Sequence, residues 1–141
     1  MNLDDLIDNF AFFDCWEDKY QYVIDLGRQL EPLEDKYKCE QWKVKGCQSQ
    51  VWLVPQFNEL RIHFRGESDA ILVKGIIAIV LLIYNDKTKE EIKEVDIVQI
   101  FAKLGLEENL TPSRRNGMMS MAQSFGPASF FLKKRRLLNI L

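Results

Sequence analysis

The chain has one histidine, three cysteines and four prolines in 141 residues, and these shortages narrow the chemistry at once. A single His63 allows no His–His metal clamp and at most one imidazole for base work. Cys15, Cys39 and Cys47 are odd in number and contain no Cys-x-x-Cys pair, which argues against a disulfide scaffold. No apolar run reaches the length of a membrane span. The longest, Ala70 to Tyr84, is 15 residues and already includes Lys74 and Gly75. The opening residues Met1-Asn2-Leu3-Asp4-Asp5 are acidic where a secretory signal needs positive charge, so the expected compartment is the cytoplasm, with no membrane association.

With 47% hydrophobic and 28% charged residues the composition is that of an ordinary globular chain. Its length fits one domain, residues 1–141, with a single core. The net charge of −2 conceals a polarity along the chain. Residues 1–40 hold eleven acids against four bases, whereas 111–141 hold six bases and no acid. The only tight basic run is Lys133-Lys134-Arg135-Arg136, and with a sequence pI near 5.5 nucleic acid is not an expected partner.

Hydrophobic spacing places a short amphipathic helix on Leu3, Leu6, Ile7 and Phe10. A second helix starts at Asp14, which with Glu17 resembles a capping box; it buries Trp16, Tyr20, Val23 and Ile24 and closes at Gly27. Residues 31–41 read as a charged loop. Three short antiparallel strands follow, at Val44, at Val51 to Val54, and at Leu60, Ile62 and Phe64, with Arg61, His63 and Arg65 on the opposite face of the last. Ser68 or Asp69 caps an almost wholly apolar helix ending near Tyr84. Capping signals at Thr88 and Asp96, a stop at Gly105 and the Thr111-Pro112 pair mark further helices. Beyond Gly126-Pro127, a basic yet apolar helix is expected over about 127–141. The pattern is α+β: a small three-stranded antiparallel sheet packed against several helices.

One cysteine stands where a nucleophile would. Cys47 occupies a Gly-Cys-Gln-Ser-Gln turn between strands, after a glycine that permits close approach and before Trp52. Thiol chemistry needs the thiolate, so a reactive Cys47 requires a neighbouring cation or backbone amides; the alternative is a small buried side chain. Cys15 and Cys39 lack such a setting and read as structural.

The segment Gly46-Cys47-Gln48-Ser49-Gln50-Val51-Trp52 resembles the active-site signature of the SufE family of sulfur-acceptor proteins. Three further blocks appear in that family's order: Trp16 to Tyr20 with Asp25-Leu26-Gly27, Gly66 to Ala70 with Val73-Lys74-Gly75, and Leu110 to Arg114 with Gly117. The resemblance implies an IscU-like fold with the acceptor cysteine at a loop tip. It implies that Cys47 takes persulfide sulfur from a SufS-type cysteine desulfurase, stimulates that enzyme, and passes sulfur to a downstream iron-sulfur scaffold protein. The chain then acts as a sulfur-transfer partner rather than a stand-alone enzyme. It needs no cofactor or metal of its own, pyridoxal phosphate belonging to the desulfurase.

Gly46, Gln48, Ser49 and Gln50 become candidates for shaping the loop or meeting the partner. Asp69 and Arg114 match family positions close to it. Asp69 has the alternative role of an N-cap, and Arg114 that of a surface cation lying along its helix. Two rival functions use the same residues: a desulfurase modulator that carries no sulfur, and an iron-sulfur scaffold ligated by the three cysteines. Both a monomer and a homodimer are compatible with the sequence. Glu67, in place of a common aspartate, and the cluster Met118, Met119 and Met121 depart from the family pattern.

Overall fold

The computed structural model describes residues 1–124. The expected C-terminal helix at 127–141 and the Gly126-Pro127 break lie outside the described residues.

Helix α1 (Leu3–Phe12) opens on a capping box between Asn2 and Asp5 and buries Leu6 and Phe10. In α2 (Trp16–Arg28) the N-cap is Cys15, which makes no side-chain capping bond. Asp14 stands one residue too early to cap it, and Glu17 and Asp18 instead supply favourable negative charge in the first turn. Nor does Gly27 close the helix, which runs on to Arg28. Gly27 is buried against α3 (Ile71–Tyr84), where an added Cβ would lie 2.6 Å from Gly75 N. A Cβ on Gly75 would in turn collide with Val23 O. The two glycines are there to let the helix backbones touch.

Strands β1 (Val51–Asn58) and β2 (Arg61–Ser68) pair antiparallel from Val51↔Ser68 to Asn58↔Arg61. The third strand is β3 (Lys87–Thr88), beside β2, in the order β1-β2-β3. The strand expected at Val44 is instead a single bridge, Lys43↔Trp52, after a one-turn 3-10 helix at Glu40–Trp42. Leu60 does not join Ile62 and Phe64 inside. It sits with Glu59 (φ 54) in the two-residue hairpin loop and is 81% exposed, because alternation begins only at Arg61.

The sheet has two apolar faces. Val51, Leu53, Ile62 and Phe64 enter the main core with α3, from which eight residues are buried. Each fully buried Ile, Leu or Val contributes about 1.5–3 kcal/mol, so this helix anchors the fold. On the reverse face Trp52 and Val54 pack with Leu33 and Trp42. The 31–41 segment is therefore more than a solvated loop. It crosses the sheet, held by Arg65, which donates to Pro32 O at 2.9 Å and faces Glu31 at 3.8 Å.

Helices α4 (Lys89–Lys93), α5 (Ile97–Leu104), α6 (Leu106–Asn109) and α7 (Pro112–Gln123) complete the described chain. Their sequence signals are realised atom by atom. Thr88 and Glu91 form the capping box, Asp96 accepts from Gln99 N, Gly105 ends α5 at φ 71, and Thr111 caps α7 with Pro112 behind it. No helix among the described residues is long and apolar enough to cross a membrane.

Candidate functional site

The Cys47 loop is closed at its base and tied down at its end. Val44 N donates to Val51 O at 2.8 Å, which makes residues 45–50 the loop proper. Gln50 and Asp69 then exchange two bonds: Gln50 N donates to Asp69 Oδ1 at 3.0 Å, and Asp69 N to Gln50 O at 3.4 Å. Asp69 is therefore engaged with the loop and does not cap α3. The N-cap there is Ala70, whose N–H is taken by Ser68 Oγ at 3.2 Å.

Gly46 is required by geometry. Its φ of +87 is left-handed, and a Cβ would lie 2.5 Å from Ser120 Oγ on α7. The bend presses the next residue against α7. Cys47 is half-buried, and its Sγ donates to Gly117 O at 3.5 Å. Gly117 leaves the sulfur room: a Cβ there would fall 3.5 Å from Sγ.

Beside the sulfur lies a cleft of about 130 Å³. Its inner wall is apolar, from Val73 and Ile76 of α3 and Met118 and Met121 of α7; Gln48, Ser49 and the exposed Arg114 stand at its edge. The methionines are unbranched and polarizable, able to follow a change in the shape of the group they enclose. Burial pushes the Cys47 thiol above its ordinary value of 9.0. The resting group is the neutral thiol. Arg114 lines the cleft without lowering that value.

Cys15 and Cys39 are exposed, at the starts of α2 and of the Glu40–Trp42 turn, and are not buried structural thiols. Among the described residues no three His, Cys, Asp or Glu side chains come close enough to hold a metal ion, so the three cysteines do not converge. His63 is on the sheet surface with Nδ1 3.1 Å from Asp86 Oδ1, away from the cleft. Glu67, buried, pairs with Lys74 at 3.1 Å and accepts from Ser68 N. Sequence reasoning missed Ser120 and the roles of Val73 and Ile76. Only the nearby Val73-Lys74-Gly75 block and the methionine cluster hinted at them.

A family described as an Fe-S metabolism associated domain, SufE, matches residues 4–126. The chain belongs to the SufE family. An uncharacterized SufE-like protein of Rhizobium meliloti (strain 1021) is 46% identical over 124 residues, spanning 85% of this chain and 89% of the relative. A second, from Rhizobium etli, is 45% identical over 126 residues, 86% and 85% of the two chains. In fold, the chain is similar to the solution structure of a hypothetical protein from Thermus thermophilus, with a TM-score of 0.73 and 18% identity over 94% of this chain and 96% of that one. That likeness confirms the α+β architecture. SufE membership carries a role in iron-sulfur metabolism, and the match takes in the whole Cys47 loop and α7.

Proposed function

We propose that this SufE protein is a sulfur acceptor: Cys47 takes the terminal sulfur of a persulfide formed on a SufS-type cysteine desulfurase and hands it to an iron-sulfur scaffold protein. The observation that carries this reading is the half-buried Cys47 thiol at the tip of a tethered loop, beside a cleft with room for one more sulfur atom. A persulfide exposed to oxidants is lost or over-oxidised, and a half-buried position beside Met118 and Met121 shelters it.

The step is a thiol exchange without net redox change. The Cys47 thiolate attacks the outer sulfur of the donor persulfide, the bond between the two donor sulfurs breaks, and the donor cysteine leaves as a thiolate. Cys47 first loses its proton, which burial opposes. Docking that draws the loop away from Gly117 O would hydrate the thiol and lower that barrier. The bonds of Gln50 to Asp69 then limit how far the loop can travel.

Intact mass after incubation of the reduced protein with a SufS-type desulfurase and cysteine tests the reading. Wild type gains about 32 Da, one sulfur, and Cys47→Ser gains none. No gain of mass on either protein, with desulfurase turnover still stimulated, would replace the carrier by a modulator.

A further inference from the structure

In a chain whose acids outnumber its Lys and Arg by 21 to 19, the two segments that build the Cys47 site are free of acids. Residues 41–58 carry Lys43 and Lys45; residues 111–124 carry Arg114 and Arg115. Lys43 pairs with Glu40 at 3.8 Å. Lys45, Arg114 and Arg115 are exposed and have no ion pair among the described residues. The carboxylate at the foot of the loop, Asp69, already accepts the Gln50 N–H.

The arrangement selects for a body larger than the cleft. Arg114 lines the cleft, but Lys45 and Arg115 do not, so a small anion seated beside Cys47 leaves both unused. A protein surface covering the loop and the start of α7 meets all three cations at once. Nucleic acid is disfavoured by the eleven acids of residues 1–40.

We infer that Lys45, Arg114 and Arg115 form a basic docking rim for an acidic patch on the sulfur-donating protein. The partner's identity as sulfur donor rests on the acceptor reading above; the rim itself rests on charge and exposure. Rim charges act on encounter and orientation and are screened by salt. The rim would bring the donor persulfide over the cleft rather than activate the thiol.

The test measures binding of a purified SufS-type desulfurase by fluorescence anisotropy, separately from sulfur transfer read by mass. At low salt, Lys45→Glu/Arg115→Glu should weaken binding about tenfold or more, Lys45→Gln/Arg115→Gln should weaken it less, and Lys45→Arg should bind as wild type. Lys93→Glu/Lys103→Glu, the same change of net charge on the exposed faces of α4 and α5, should bind nearly as wild type. Wild-type affinity should fall with added NaCl, and the rim variant should show a flatter salt dependence. Unchanged binding by the rim variant, with its circular dichroism intact, overturns the rim; so does equal weakening by the α4–α5 variant. If binding follows the rim charges but no sulfur reaches Cys47, the rim stands and the acceptor reading falls. If sulfur arrives while binding ignores the rim charges, the reverse holds.

Discussion

Cys47 Sγ donates to the carbonyl oxygen of Gly117 at 3.5 Å, and Gly117 is also the residue whose missing side chain leaves space next to that sulfur. One position on α7 thus holds the thiol in its resting state and keeps room for an added atom. Gly117→Ala separates the two roles. The new methyl meets Sγ at ordinary contact distance, and Ala in place of helical Gly favours the helix by up to about 1 kcal/mol. The expected outcome is an unchanged or slightly raised Tm by calorimetry, with a reduced yield of sulfur on Cys47 by mass. Full sulfur loading in this variant would show that the space is not used.

Burial is what raises the Cys47 thiol, and this has two consequences for pH. Iodoacetamide labelling of the free protein should climb about tenfold per pH unit, with no plateau until beyond 9.0, the ordinary thiol value. Stability follows the opposite sign. Below pH 9.0 both folded and unfolded thiols are protonated; above it the unfolded chain ionises first, so the Cys47 contribution is lost as pH rises toward the higher folded value. A labelling midpoint below 9.0 would mean that a cation, not burial, governs the thiol.

The paired bonds of Gln50 and Asp69 should set how often the loop opens. Asp69→Ala removes an acceptor worth about 1 kcal/mol, enough to raise the open population about fivefold. Cys47 labelling should accelerate by that factor, whereas Asp69→Asn, which keeps a side-chain oxygen, should stay near wild type. Identical rates for all three proteins would show that the tether does not gate the thiol.

Arg114→Ala should leave labelling of the free protein unchanged, because burial is what raises the resting thiol, while slowing sulfur acceptance from a desulfurase. A parallel fall in both rates would instead make Arg114 part of thiol activation.

Gly75→Ala should be far more damaging than Gly117→Ala. Its Cβ would collide with Val23 O in the α2–α3 crossing, and forcing these helices apart costs about 3 kcal/mol. Denaturant titration measures the loss directly. Cys47→Ser, outside that crossing, should unfold near the wild-type midpoint.

Much of the fold was legible because its signals are local. Thr88 with Glu91, Asp96, Gly105 and Thr111-Pro112 mark helix boundaries through bonds made within three or four residues. Where competing local signals stood side by side, the sequence misled. Asp14 precedes Cys15 by one residue and lost the cap to it; Asp69 could cap α3 but its carboxylate was claimed by Gln50, 19 residues away. Likewise Leu60 continues the alternation of Ile62 and Phe64 on paper, yet the hairpin turn takes it outside.

The sequence by itself determined the α+β class, the buried α3 and the placing of Cys47 in a turn after glycine, because periodicity, capping and the Gly-Cys-Gln-Ser-Gln motif are all short-range. Only the tertiary structure decided that Gly27 and Gly75 serve a helix crossing and that β3 comes from Lys87–Thr88. It also made Gly117, Met118 and Met121 of α7 the wall against which Cys47 rests. These are contacts between residues tens of positions apart. No local pattern encodes them, since they exist only once α3 and α7 have closed on the Cys47 loop.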